Sequence, residues 1–328
     1  MQSIATALRA QAVCDAIGDP FEFGEPSFCE VQKYVDADTE ISITDDTQMT
    51  LFGLEALIEC RAVYSRYSTE LVASYLRAGY SWWFRAQTGE RVVERLPYES
   101  RLFMYPAMKK MRHPGDTVMS SLRQQAARGA RKANDRNGCG GVMRLLTIAA
   151  APLLWRGVGV WEQKQLAYMD TRITHGGTEA FAASQLWVAA ALELVTSTES
   201  LEPDGPRYRL GRASRQLVEL ATKIEQLGQG WTGLECLKMA CWALHVADGS
   251  FSQLLVLSIA HGGDSDSVGA VAGALWGLYW GSRTSFGKEV PERLVRRVSE
   301  RDIIESVLSR LTKAVQDVRF PVQENSAV

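Results

Sequence analysis

Apolar residues recur at a spacing of three and four along nearly every long segment of this chain, and that pattern narrows the possible folds sharply. Residues 3–17 carry Ile4, Leu8 and Ala12, with Ala7 and Cys14 beside them, and stop at Gly18-Asp19-Pro20, a helix-ending signal. Residues 47–60 place Met49, Phe52, Ala56, Leu57 and Cys60 on one face and Leu51, Leu54 and Ile58 on a second. A helix apolar around that much of its circumference is expected to be buried. Similar periodicity marks 69–85, 100–111, 116–130, the run up to Leu154, and the face made by Ala180, Ala183, Trp187, Ala190, Ala191 and Leu194. It continues through Leu217, Leu220, Ala221 and Ile224, then through 234–247, 268–278 and 302–315. Residues 24–43, with scattered Pro, Gly and Asp, read as a ragged connector. Leu254-Leu255-Val256-Leu257 fits a strand or a buried helix equally well. No repeat or linker divides the chain. The expectation is an all-α, compact multi-helix fold in a single domain over 1–316, with 317–328 fraying.

Composition excludes several functional classes. The formal net charge of −2 and pI of about 6.2 give no overall basic excess for nucleic acid. No run approaches the ~20 apolar residues of a membrane span. Residues 1–12 lack the apolar core of a secretory signal. Six cysteines show no paired spacing, which suits free thiols in a reducing cytoplasm. Four histidines lack the spacing of a zinc site.

The chemistry concentrates in two acidic stretches over two hundred residues apart. Thr44-Asp45-Asp46-Thr47 opens one apolar helix, and Asp264-Ser265-Asp266-Ser267 opens another that is rich in Gly and Ala. Adjacent residues within a helix point apart, so an aspartate pair serves one site only where the backbone turns, as at a helix start. The plain reading of either stretch is an acidic cap on a solvated surface. Two with matching hydroxyls supply four carboxylates and hard oxygen donors, enough for two Mg²⁺ or Mn²⁺ ions ~3.5–4 Å apart. Asp264-Ser265-Asp266-Ser267-Val268 also matches the nucleophile loop of haloacid dehalogenase-like phosphatases. That fold needs further strands, and the residues that follow read as helix. An EF-hand loop fails, because Val268 occupies a ligand position.

Together with further ordered blocks, the two acidic stretches resemble the signature of the ADP-ribosylglycohydrolase family. Asp15-Ala16-Ile17-Gly18 with Pro20 and Glu22 is similar to its first block, and Arg112-His113-Pro114-Gly115-Asp116-Thr117 to another. Gly138-Cys139-Gly140-Gly141-Val142-Met143-Arg144 resembles its central glycine loop, and Ile173-Thr174-His175-Gly176 its histidine block. The resemblance implies an all-α fold with a binuclear metal cleft holding two Mg²⁺, or Mn²⁺. Thr44, Asp45, Asp46, Asp264, Asp266 and Ser267 would be the ligands. The implied substrate is an ADP-ribosylated protein, in the first place at arginine, and the product free ADP-ribose. Cleavage of the N-glycosidic bond would pass through an oxocarbenium-like state. Asp45 or Asp46, or a water held by the metals, would deliver the nucleophile, and Glu22 would orient that water or act as acid/base. Gly138, Cys139, Gly140, Gly141 and Met143 would receive the diphosphate, and His175 would lie near the adenosine half.

Structural roles stand beside these. Glu22 and His175 can be held by local hydrogen bonds. Arg144 reads better as a buried ion-pair partner than as a substrate contact, and Trp82 and Trp83 read better as core. Gly177 and Thr178 depart from the usual proline-containing pair, and Arg136 stands where a small hydroxyl residue is usual. The implied protein is a cytoplasmic monomer with no nucleic-acid or membrane partner. The alternative on the same fold is a non-catalytic binder of ADP-ribose or of a toxin, as an immunity protein would be.

Overall fold

A computed structural model describes residues 1–129, 134–196, 223–283 and 288–319. Its centre is an antiparallel pair, α1 (Gln2–Gly18) against α11 (Ser265–Gly281). Helix α11 repeats glycine at 269, 273, 277 and 281, every fourth residue, which lines the glycines along one side. Opposite them α1 presents small residues. A Cβ on Gly269 would come 2.9 Å from the Cys14 carbonyl oxygen, and one on Gly273 2.5 Å from that of Ala10. The two backbones therefore touch, and every residue of α11 is buried. At the far end of the pair a Cβ on Gly18 would lie 2.6 Å from Asp266 Cα, so the last residue of α1 seats the first turn of α11.

The other long helices wrap this pair. Helix α3 (Asp45–Val63) is buried at every position from Asp45 to Ile58, as its all-round apolar pattern predicts. It packs against α4 (Thr69–Thr88) and α13 (Arg301–Arg319). Trp82 and Trp83 of α4 are core, as expected. Arg310 of α13 reaches the fully buried Glu55 at 2.8 Å, which keeps that carboxylate paired inside the fold. Helices α5 (Asp116–Arg128), α6 (Leu146–Leu154), α7 (Val160–Arg172), α8 (Thr178–Thr196), α9 (Gly233–Ala247) and α10 (Phe251–Ile259) complete the shell, with a short α12 (Glu292–Val295). No strand occurs among the described residues; only isolated bridges join Ile41 to Val298 and Gly138 to Thr232. No described helix is long and apolar enough to cross a membrane.

Several boundaries differ from the sequence expectation. The connector 24–43 contains α2 (Phe28–Asp36), started by a capping box in which Ser27 and Glu30 bond each other's backbone N–H. Residues 100–111 form only two 3-10 turns, Leu102–Met104 and Pro106–Lys109. Pro106 has no N–H to continue a helix from the first into the second. Helix α7 was not anticipated, and Leu254–Leu257 belongs to a helix. Helix α13 runs to Arg319, past the expected fraying point at 317, because Val307, Leu308, Leu311 and Val315 bury one face of it. The helix expected over Leu217, Leu220 and Ala221 and the tail beyond Arg319 lie outside the described residues. Ile224 begins a 3-10 turn, Ile224–Leu227.

Candidate functional site

Both acidic stretches are helix starts, and the α1–α11 contact brings them to one place. Thr44 caps α3, its Oγ1 accepting from Asp46 N–H at 3.3 Å. The larger share of capping comes from Asp15 on α1. Its carboxylate accepts from Thr44 N–H at 3.1 Å, from Thr44 Oγ1 at 2.6 Å and from Thr47 N–H at 3.2 Å. With those donors satisfied from another helix, the Asp45 and Asp46 side chains are left for other work. At α11, Asp264 N–H donates to Gln229 O at 2.8 Å, and Asp266 Oδ1 accepts from Ser267 N–H at 2.9 Å. Ser265 turns inward, donating to Ile259 O at 3.0 Å, whereas Ser267 Oγ lies 3.5 Å from Cys139 Sγ.

Glu22 enters from the turn Asp19–Phe21. One carboxylate oxygen each from Glu22, Asp264 and Asp266 lie within 4.8 Å of one another. Glu22 thus stands among the proposed ligands rather than apart from them, a grouping that its distance in sequence hides. The segment before α5 forms the opposite rim. Arg112 O accepts from Asp45 N–H at 3.3 Å, and His113 Nδ1 lies 2.9 Å from Asp19 Oδ1 and 3.7 Å from Glu22 Oε2.

The electrostatics of this acidic cluster are lopsided. Burial first, then the charge of Asp266, pushes Asp45, Asp46 and Asp264 well above the usual carboxylate range. The same two causes push Asp15 and Glu22 up to about 8. Asp266 itself is raised by burial, against the hydrogen bonds from Asp264 and Ser267. Three buried oxygens, Glu22 Oε2, Asp46 Oδ1 and Thr47 Oγ1, have no hydrogen-bond partner. An all-oxygen donor set, crowded negative charge and orphaned acceptors fit a hard divalent cation, which relieves all three at once.

A carboxyl whose folded pKa exceeds its unfolded value binds its proton more tightly in the native state. It stabilises the fold at low pH and loses that contribution as pH rises through the folded value. In EDTA the melting temperature is therefore expected to fall as pH rises from about 4, where unfolded carboxyls titrate, through about 8. Millimolar Mg²⁺ should cancel most of that fall, because the cation replaces the protons. Thermal melts at pH 5, 6.5 and 8 in EDTA or Mg²⁺ check this; a flat EDTA series indifferent to Mg²⁺ at pH 8 would contradict it.

The glycine turn touches the acidic cluster through Cys139. Cys139 Sγ donates to Asp264 Oδ2 at 2.8 Å, while Cys139 N–H is taken by Trp231 O at 3.2 Å and so is not offered to a diphosphate. His175, expected on the adenosine side, is 1% exposed and lies underneath the turn. A Cβ on Gly138 or Gly140 would come 3.2 Å from its ring, and one on Gly141 2.9 Å from Thr171 Cγ2. Gly140 and Gly141 are held small by Val118 Cγ2 at 2.8 Å and Thr171 Cγ2, with His175 packed closely beside all three glycines, and the buried His175 ring presents no stacking face to solvent. Met143 is likewise core, 3% exposed, its carbonyl accepting from Gln11 Nε2 at 3.1 Å. Arg144 is fully buried and pairs with Asp170 at 3.0 Å, the structural role expected of it; it also bonds Gly140 O, which anchors the turn. Gly177, which departs from the family pattern, donates to Arg136 O at 3.0 Å.

Two site features escaped the sequence reading. Asp15 is one, and its sequence signal is a lone carboxylate in the last turn of an otherwise apolar helix. The second is a ring pair on the rim, Phe23 stacked on Trp231 with centroids 5.1 Å apart. Phe23 is 74% exposed and sits at φ +62°.

Comparison with known proteins gives the family and the fold. The model of a family described as ADP-ribosylglycohydrolase matches residues 2–320. A protein of Archaeoglobus fulgidus, described only as uncharacterized, is 24% identical over 326 residues, covering 92% of each chain. A solved structure titled as an ADP-ribosylglycohydrolase-related protein complex aligns with a TM-score of 0.63 at 24% identity. The alignment covers 96% of this chain and 98% of the other, and it establishes the shared fold.

Proposed function

The chain belongs to the ADP-ribosylglycohydrolase family, and from that premise we propose that it is a divalent-cation-dependent hydrolase releasing ADP-ribose from a modified arginine. The observation that carries this is the grouping of Glu22, Asp264 and Asp266 within 4.8 Å of one another, with the charge of Asp266 felt at Asp45 and Asp46 on the other acidic helix start. Thr44, Asp45, Asp46, Asp264, Asp266 and Ser267 would hold two Mg²⁺ or Mn²⁺ ions, which supply Lewis-acid polarisation of the ribose hydroxyls and offset the clustered charge.

The chain's own groups divide the remaining work. Asp45 or Asp46 takes a proton from the attacking water as it adds to the anomeric carbon. The C1′–N bond breaks through an oxocarbenium-like state, and the guanidine nitrogen leaves with a proton. Glu22, beside Asp264 and Asp266 at the mouth of the cleft, orients the water or hands over that proton. The glycine turn, whose Cys139 N–H is held by Trp231 O, would meet the diphosphate only through Gly138, the half-buried glycine at its start. All six cysteines are free thiols, in keeping with a reducing cytoplasm.

The test is incubation with mono-ADP-ribosylated arginine, in Mg²⁺, in Mn²⁺ and in EDTA, with free ADP-ribose followed by chromatography. Release is expected with either cation and not in EDTA. Release only from a serine-linked substrate would move the linkage; release from neither would sink the proposal.

A further inference from the structure

Seven Lys or Arg and three Glu stand between residues 85 and 112, in a chain whose formal net charge is −2. Two of those glutamates are matched from outside the segment, Glu94 by Arg77 and Glu90 by Arg123, each at 3.0 Å. Arg91, Arg95, Arg101, Lys109 and Lys110 are all exposed. Two of the cations are braced on rings: Arg85 lies 5.0 Å above Trp82 and 5.1 Å above Phe103, and Lys109 lies 4.5 Å above Phe103. A groove of about 500 Å³ is lined by Arg85, Arg91 and Arg95 together with Glu94, Glu99 and Tyr98. Among these charges Val93 and Met104, each 73% exposed, and Met111, 55% exposed, present apolar surface.

This face runs into the cleft. Gln87 Nε2 donates to Met108 O at 2.9 Å, Gln48 Nε2 to Lys110 O at 3.1 Å, and Asp45 N–H to Arg112 O at 3.3 Å. The backbone of 108–112 is thereby fastened from α4 to the first turn of α3, and the basic segment ends at the rim where Glu22 stands. From the charge, the apolar mixture and this continuity we infer that the 85–112 face docks an acidic protein surface, that of the ADP-ribosylated carrier.

Arg85 and Lys109 rest on aromatic rings and Arg112 lies 3.9 Å from Glu300, while Arg91, Arg95, Arg101 and Lys110 are exposed and, of the segment's own glutamates, Glu90 and Glu94 are already paired to Arg123 and Arg77. Single-stranded nucleic acid would need open rings for its bases, yet Arg85 and Lys109 lie over those of Trp82 and Phe103. Arg, Met and Tyr beside a polar rim form the mixture found at protein interfaces. The carrier's identity as substrate rests on the proposed function; the docking itself does not.

Fluorescence anisotropy with a labelled 12-residue peptide alternating Asp/Glu with Phe/Leu reads the docking directly. It should bind the wild type, and a peptide with Lys at the acidic positions should not. In Arg91→Glu/Arg95→Glu/Lys109→Glu the Kd should rise about tenfold or more, with a weaker salt dependence. Arg95→Lys/Lys109→Arg should keep the binding, and thermal melts establish that both variants are folded. Equal binding of acidic and basic peptides, or no loss on charge reversal, overturns the inference. So does displacement of the acidic peptide by a 12-nucleotide single strand at lower concentration than unlabelled peptide. In activity, the reversal should lower kcat/KM for an acid-flanked ADP-ribosylated arginine peptide about tenfold and leave free ADP-ribosylarginine unchanged. If wild type cleaves neither, the proposed function fails while the anisotropy still decides the docking.

Discussion

Asp266→Asn should lower ADP-ribose release by about 10³ while raising the melting temperature of the metal-free protein. The two effects have one origin. After burial, the charge of Asp266 does most to push up Asp15, Glu22, Asp45, Asp46 and Asp264. Replacing it with a neutral isostere relieves repulsion on five buried carboxylates, and the amide oxygen can still accept from Ser267 N–H. The same change removes a charged oxygen from the all-carboxylate cluster it forms with Glu22 and Asp264, so the rise in melting temperature on adding Mg²⁺ should shrink or vanish. Gained stability in EDTA with lost Mg²⁺ response separates a site residue from a merely structural one, whose loss would lower both. Asp45→Asn should move in the same direction. Full release with an undiminished Mg²⁺ shift in Asp266→Asn would remove the cluster from the reaction.

The chemistry of this site was legible because it is written in short local runs. Two helix starts with paired aspartates and hydroxyls declare themselves by residue type alone, and helical periodicity fixed the class of fold. What the sequence did not show is who serves whom across space. Asp15 looks like one polar residue on an apolar helix; only the docking of α1 beside α3 makes it the cap that spares Asp45 and Asp46. His175 and the glycine turn read as two ligand-facing blocks, yet His175 is buried beneath the turn and the turn packs closely on Val118, Thr171 and His175. Local signals were also under-read: Ser27 and Glu30 spell a capping box inside what looked like a ragged connector, and the helical pattern of 100–111 yields to Pro106.

The joint that unites the two acidic starts gives the largest stability effect. Ala is favoured over Gly inside a helix by ~1 kcal/mol, so Gly273→Ala would stabilise an isolated α11. Here the new methyl would meet only backbone: the Ala10 carbonyl oxygen at 2.5 Å, its carbon at 2.7 Å and Gln11 N at 2.9 Å. None of these can swing away as a side chain could, and overpacking of this kind costs about 1–3 kcal/mol or more. The clash should win, making Gly273→Ala less stable than wild type, and Gly273→Val, with two further methyls, should fail to fold at 37 °C. Gly115→Ala is the control, since nothing lies within 4 Å of the added methyl. Denaturant unfolding of the three proteins reads the order directly, and a Gly273→Ala variant as stable as wild type would show that α1 and α11 do not touch as described. A folded Gly273→Ala should also bind Mg²⁺ more weakly. Prying α1 from α11 moves Gly18 away from Asp266 while Asp15 keeps its hold on Thr44, and the two acidic helix starts then drift apart.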